Sequence, residues 1–180
     1  GTAMSENEQD RGFGERMTDA YHRMLERVKH AVEQAEADTG PVVRHAIDNA
    51  KETATELGEL SREEAEKVGN YLRRDLQDAA EFLSDSGKEL GGWLRFDLDL
   101  VERSLANMFM AAVDKTRVEL AQFSQRADAL GEWHTGEVAG IGTLQCKSCG
   151  EVLRFHKIGH IPPCPKCHGS RYRRISHSDE

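Results

Sequence analysis

A chain of 180 residues and 20.2 kDa has room for one ordinary domain or two small ones. Its 32 Asp and Glu outnumber 24 Lys and Arg, and aromatics make up only 6% of residues, which argues against a thick globular core and against bulk nucleic-acid binding. The longest apolar run, residues 108–113, is far below the roughly 18 to 20 residues of a membrane span, so no membrane association is expected.

The N-terminus is polar and acidic. Gly1, Thr2 and Ala3 ahead of Met4 read as a cloning remnant, and residues 1–12 are expected to be disordered. With no export signal in view, the expected location is the cytoplasm. From residue 13 the apolar period is helical. Phe13, Met17, Ala20, Met24, Val28, Ala31 and Ala35 step by four and three, until Thr39, Gly40 and Pro41 stop the helix. Val43, Ile47, Ala50, Ala54 and Leu57 predict a second helix ending at Gly58. Ser61 and Glu64 form a capping box ahead of a third, marked by Val68, Leu72, Leu76, Ala79 and Leu83. Residues 84–87 read as another break.

Leu94, Leu98, Val101, Leu105, Met108 and Ala112 then alternate four and three, and Thr116 bridges to Leu120, Phe123, Ala127 and Leu130. A helix over 88–130 would be about 60 Å long at 1.5 Å per residue. Such a helix needs a partner, and the short breaks favour an antiparallel bundle or coiled-coil stalk over a parallel dimer. Whether the protein is a monomer or a dimer stays open. Glu63, Glu64 and Glu66 with Arg73, Arg74 and Asp75 read as a solvated charged face, and Met17, Met24, Met108 and Met110 as core filler. Trp93, next to Gly91 and Gly92, reads as a packing anchor, with a docking spot on the stalk as the alternative.

The composition changes near residue 130. Residues 131–180 carry seven basic and five acidic side chains, against 17 and 27 before them, and three of the four prolines (Pro162, Pro163 and Pro165). All four cysteines also fall here, as Cys146-Lys-Ser-Cys149-Gly150 and Cys164-Pro-Lys-Cys167-His168-Gly169. Two residues between cysteines let one tight turn present both thiolates to one ion, and four thiolates suit tetrahedral zinc at about 2.3 Å. Gly150 and Gly169 are expected at positive φ. Strand-like segments at 142–145, 151–156 and 171–175 flank the turns.

The pattern specifies a zinc ribbon with one structural metal. Four cysteines close the coordination shell that a catalytic zinc keeps open, and the βαβ setting of a thioredoxin-like redox pair is absent. Iron in a rubredoxin-like site uses the same four sulfurs and stays open. His134, His156, His160 and His168 read as surface or second-rank groups. Lys157, Lys166, Arg171, Arg173 and Arg174, with Tyr172 and Phe155 as stacking groups, suggest a basic face for nucleic acid or a partner. Four thiolates and one zinc add -2 and bring the segment close to neutral, which favours protein docking.

The stretch Trp133-His134-Thr135-Gly136-Glu137-Val138-Ala139-Gly140, running through Gly142 and Leu144 into Cys146-x-x-Cys149, resembles the bacterial zinc-ribbon-containing YbeL-like proteins. Gly58-Glu59-Leu60-Ser61-Arg62-Glu63-Glu64, Arg73-Arg74-Asp75-Leu76 and Asp114-Lys115-Thr116 are similar to the same family. The resemblance implies a helical N-terminal region, a C-terminal ribbon held by Cys146, Cys149, Cys164 and Cys167, and cytoplasmic residence. It implies no activity. The expected protein is thus mainly α with a small β zinc ribbon: a helical stalk over 13–130 and a separately folding ribbon over 131–180. It reads as a non-enzymatic adaptor for an unidentified protein partner. The rival is a transcription-associated or nucleic-acid-binding regulator, similar in outline to RNA polymerase secondary-channel regulators. An enzyme is not expected, since no phosphate loop, nucleophile motif or open metal position appears.

Overall fold

The computed structural model describes residues 6–34, 42–83, 93–94, 98–114 and 132–175. The breaks expected at 39–41 and 84–87, Gly91, Gly92, and the stripe from Thr116 to Leu130 lie outside the described residues. The helices are α1 (Glu6–Gln34), α2 (Val42–Glu56), α3 (Arg62–Leu83) and α4 (Arg103–Asp114), with a 3-10 turn at Leu98–Leu100. The strands are β1 (Trp133–His134), β2 (Val138–Ala139), β3 (Gly142–Cys146), β4 (Val152–Phe155), β5 (Gly159–His160) and β6 (Arg171–Ile175).

Helix α1 starts at Glu6, inside the stretch expected to be disordered. It buries Tyr21, Leu25 and Val32 in addition to Met17, Ala20, Met24 and Val28. The broader apolar face follows from its surroundings, because α1 packs against α2, α3 and α4 and touches β2 and β5. Helix α2 ends in a Schellman turn: Gly58 has φ 73°, its N–H bonds the Thr55 carbonyl at 3.2 Å, and the Glu59 N–H bonds that of Ala54 at 2.9 Å. Leu57, past the helical register, is exposed. The capping box forms as expected, with the Glu64 N–H to Ser61 Oγ at 3.1 Å and the Ser61 N–H to Glu64 Oε1 at 2.9 Å.

The continuous helix expected over 88–130 is broken. After the 3-10 turn, Val101 and Glu102 are not helical, and α4 begins with the Ala106 N–H bonded to the Glu102 carbonyl at 3.0 Å. The apolar stripe runs through the break, because a 3-10 turn preserves the three-residue step that a helix face also uses. Leu94 before it, and Val101, Leu105, Met108 and Ala112 after the 3-10 turn, are accordingly buried. Trp93 is fully buried, with its ring 5.8 Å from that of Phe109 and its Nε1 bonded to Asp78 at 2.7 Å. It is a packing anchor and presents no surface for docking.

Four strands form an antiparallel sheet in the order β1-β6-β3-β4, and β2 pairs with β5. The core does not divide near residue 130. Val138, Ile141 and Ile158 belong to the helical core, while Trp133, Ala139, Leu144, Ile161 and Tyr172 cluster around Cys146 and Cys164. Two glycines admit this close approach. A Cβ on Gly140 would lie 2.6 Å from the Phe109 ring and 2.7 Å from the Tyr21 hydroxyl. Gly142, at φ 140°, leaves the space through which the Arg174 guanidinium passes.

Candidate metal centre

Each cysteine pair sits on a tight turn, and the two turns repeat the same backbone hydrogen bonds. In the first, which joins β3 to β4, the Cys146 N–H bonds the Glu151 carbonyl at 2.8 Å and the Gly150 N–H bonds the Cys146 carbonyl at 3.0 Å. In the second, ahead of β6, the Cys164 N–H bonds the Gly169 carbonyl at 2.9 Å and the His168 N–H bonds the Cys164 carbonyl at 2.9 Å. The residue after the second cysteine takes the left-handed conformation in both, at φ 83° for Gly150 and 63° for His168.

His168, and not Gly169, therefore fills the strained position of the second turn. Gly169 is required for a different reason: a Cβ there would lie 3.2 Å from the sulfurs of both Cys146 and Cys167. Because a side chain in the left-handed region is strained, His168→Gly is expected to stabilise the zinc-loaded protein by about 0.5 to 1 kcal/mol in urea unfolding. Gly169→Ala, by crowding two thiolates, is expected to weaken metal retention instead.

The four sulfurs lie within 4.8 Å of one another, with Cys146 to Cys167 at 3.6 Å and Cys149 to Cys164 at 3.5 Å. A tetrahedron with metal–sulfur bonds of about 2.3 Å has edges of about 3.8 Å, so the donor set fits one zinc. The first cysteine of each turn is poised to ionise. Cys146 is drawn down to about 6, chiefly by the backbone N–H of Cys149 against an opposing contribution from burial. Cys164 is lowered in the same way by the N–H of Cys167.

The second cysteines respond the other way. Cys167 is pushed up to about 12: the Gly169 N–H acts downward, but hydrogen bonding with the Cys149 thiol, burial and the other two thiols outweigh it. Cys149 is raised likewise, with the Glu151 N–H overcome by burial and by Cys164. Four adjacent thiols do not ionise together without a cation. A bound zinc would deprotonate all four, and with no open position its contribution is to hold the fold.

Behind the metal site, Tyr172 opposes Cys146 and Trp133 in the strand register, and its hydroxyl donates to the Pro162 carbonyl at 2.7 Å. The Trp133 Nε1 donates to Asp75 at 2.8 Å. Asp75, on α3, has no solvent exposure and also accepts from Tyr21 at 2.6 Å, the Gly140 N–H at 2.9 Å and Arg74 at 3.2 Å, with Arg174 at 3.4 Å. Arg74 reaches Glu137 at 2.7 Å and the Val138 carbonyl at 3.0 Å. Arg174 donates to the Ile141 carbonyl at 3.0 Å, pairs with Asp78 at 3.1 Å and stacks 4.5 Å over Trp93. This Arg-Asp-Arg group joins α3 to the ribbon.

The residues expected on a basic contact face thus separate. Lys157, Lys166, Arg171 and Arg173 are exposed, whereas Tyr172 and Arg174 are buried and cannot meet a partner. Alternation along β6 turns Tyr172 and Arg174 inward, toward the helices, and Arg171 and Arg173 outward. Arg74 and Asp75 likewise leave the solvated face expected for them. His134 meets Glu132 at 3.2 Å and Glu137 at 3.7 Å, and the clustered ligand atoms are those of the four cysteines.

A four-sulfur centre on paired turns, framed by a small antiparallel sheet, defines a zinc ribbon. The chain belongs to the zinc-ribbon containing domain family, whose profile matches residues 30–176. It is similar to the uncharacterized protein YbeL of Escherichia coli, in strains K12 and O157:H7 among others, at 30% identity over 128 residues, covering 71% of this chain and 79% of the relative. No solved structure matches it. Among the described residues no helix is long and apolar enough to cross a membrane.

Proposed function

We propose that this protein is a non-enzymatic cytoplasmic adaptor, in which a helical body carries a zinc-built ribbon and the ribbon's outer face engages a protein partner. The observation that carries the reading is the division of the ribbon sheet. Its inner side is taken up by the cluster around Cys146 and Cys164 and by Asp75 of α3, which bonds Trp133 and Arg174, and its outer side keeps Arg171, Arg173 and Arg154 exposed. A ribbon fixed in this way presents a surface of constant shape, which suits docking. Four thiolates leave no coordination position for water or substrate, which supports a structural role for the metal. Burial of Tyr172 and Arg174 removes a stacking group and a charge from the rival nucleic-acid reading.

Native affinity purification after nuclease treatment tests the proposal, comparing the intact protein with Cys164→Ser/Cys167→Ser. The expected result is one stoichiometric protein partner retained by the intact protein and lost from the variant. Partners that vanish with nuclease would replace the adaptor reading with the nucleic-acid one. The absence of any stoichiometric partner would overturn it.

A further inference from the structure

The outer face of the ribbon sheet can be assembled from the strand register. His134 opposes Arg171 across β1 and β6, Arg173 opposes Gln145 across β6 and β3, and Arg154 opposes Thr143 across β4 and β3. These residues share one side of the pleat, since directly opposed residues point the same way. Thr143 and Ile175 at one end of that side are buried, and the Thr143 hydroxyl is bonded to the Leu94 carbonyl at 2.6 Å. The remainder carries the half-buried His134, Gln145 and Val152, and Arg154, Arg171 and Arg173 are exposed on it.

The arginines stand at defined spacings. Arg171 and Arg173 are alternate residues on one strand, about 6.8 Å apart, and β4 lies two strand spacings, about 10 Å, from β6. Arg173 is held flat by two bonds to Gln145 Oε1, at 2.6 and 3.0 Å, which orders the guanidinium without neutralising it. Among the described residues the carboxylates at the rim are engaged, with Glu132 also near enough to Arg171 for that charge, after that of Lys147, to lower its pKa. Glu132 binds Lys147 at 2.6 Å and His134 at 3.2 Å, and Glu151 turns back to the Val152 N–H at 3.1 Å.

We infer that this face binds an extended acidic segment of a protein partner, with alternate carboxylates of the segment pairing with Arg171 and Arg173 and a further one reaching Arg154. The repeat of an extended strand, about 6.8 Å between side chains on one side, equals the spacing of the two β6 arginines. Guanidinium groups take carboxylates in two-point pairs that a lysine surface would not fix in register.

Single-stranded nucleic acid fits less well. None of the aromatic residues of the described strands lies on this side, because Trp133, Tyr172 and Phe155 all occupy the other, so the strands offer no stacking platform of the kind single-strand binders use. Three charges on a chain of net charge -8 suit a few carboxylates better than a polyphosphate, which typically engages about six to ten contacts.

The inference rests on the adaptor reading, and its test separates the two. The zinc-loaded full chain is titrated with a capped peptide alternating Glu with Thr and Val, with its Glu-to-Gln analogue, and with an oligothymidylate of about 20 nucleotides. Two-dimensional NMR reports the backbone amides and the arginine Nε–H groups.

The expected result is that the acidic peptide alone shifts Arg154, Arg171 and Arg173, and that Arg171→Gln/Arg173→Gln weakens its binding about tenfold or more. These substitutions lie on an exposed face, and unchanged zinc content and circular dichroism would show that the fold is intact. Shifts mapping elsewhere, equal binding of the Gln analogue, no binding of the acidic peptide, or tighter binding of the oligonucleotide on this face would overturn the inference. A native protein partner retained by the arginine variant would also overturn it, while leaving the adaptor reading in place.

Discussion

Asp75→Ala is expected to destabilise the folded protein by about 3 to 5 kcal/mol in urea, with the larger part of that cost coming from what remains. The Asp75 carboxylate faces two guanidinium groups that are themselves buried, Arg74 with 5% and Arg174 with 2% of the side chain exposed. Removing it leaves Arg74 and Arg174 with only the part-exposed Glu137 and Asp78 as carboxylate partners, and strands the Tyr21 hydroxyl, the Trp133 Nε1 and the Gly140 N–H. Asp75→Asn keeps the shape but not the charge and is expected to fall between the wild type and Asp75→Ala.

The same group sets an acid limit. Burial acts to raise the Asp75 pKa, but Arg74 and then Arg174, with the bonds from Tyr21 and Gly140, hold it below the usual carboxylate range. A folded-state pKa below the unfolded one means that the stabilisation is present above the unfolded value, near 4, and is lost as the pH falls through the folded one. Stability measured between pH 5 and pH 2 should therefore fall in the wild type and fall less steeply in Asp75→Asn. Parallel curves would show that Asp75 carries no such linkage.

Two local patterns held the information about this junction. Asp75 lies three residues after Leu72 and four before Ala79, on the apolar stripe of α3, where an unpaired charge is not tolerated. Read as part of a charge run it looks solvated. Read on the stripe it demands buried partners, although beyond the adjacent Arg74 nothing local reveals that they come from Tyr21 on α1 and from residues 133–174. On β6, period-two alternation separates Arg174 from Arg171 and Arg173, a division that counting basic residues misses.

The metal ligands were legible because two short turns determine them locally, and the capping box and the Gly58 stop are local for the same reason. The 3-10 turn at Leu98–Leu100 was not, since its three-residue step mimics a helix face. The left-handed role of His168 is hidden in the sequence because Gly169 next to it is the residue type that such turns usually favour. Charge and proline content set the ribbon, residues 131–180, apart, and they describe its surface. Its core contacts, through Val138, Ile141 and Ile158, depend on tertiary packing.

Those contacts decide what zinc removal does. Chelation, or Cys164→Ser, is expected to lower the thermal midpoint of the helices together with that of the ribbon, by about 10 °C or more. Structural zinc supplies binding free energy on the order of 10 kcal/mol to a ribbon that otherwise has little core of its own. When the two turns open, Tyr172 loses its place beside Cys146, Trp133 loses Tyr172, and Asp75 loses the Trp133 donor. The helical core then exposes the surfaces that Val138, Ile141 and Ile158 had covered. A loss of even 3 to 5 kcal/mol by this route corresponds to about 10 °C for a protein of this size. Far-ultraviolet circular dichroism follows the helices and, in a Trp93→Phe background, tryptophan fluorescence follows Trp133 at the junction. In the zinc-loaded protein the two melting curves should coincide, and both should move down when the metal is withdrawn. A helical transition that stays in place while the fluorescence transition disappears would show two independent units, with the Asp75 junction acting only as a contact between them.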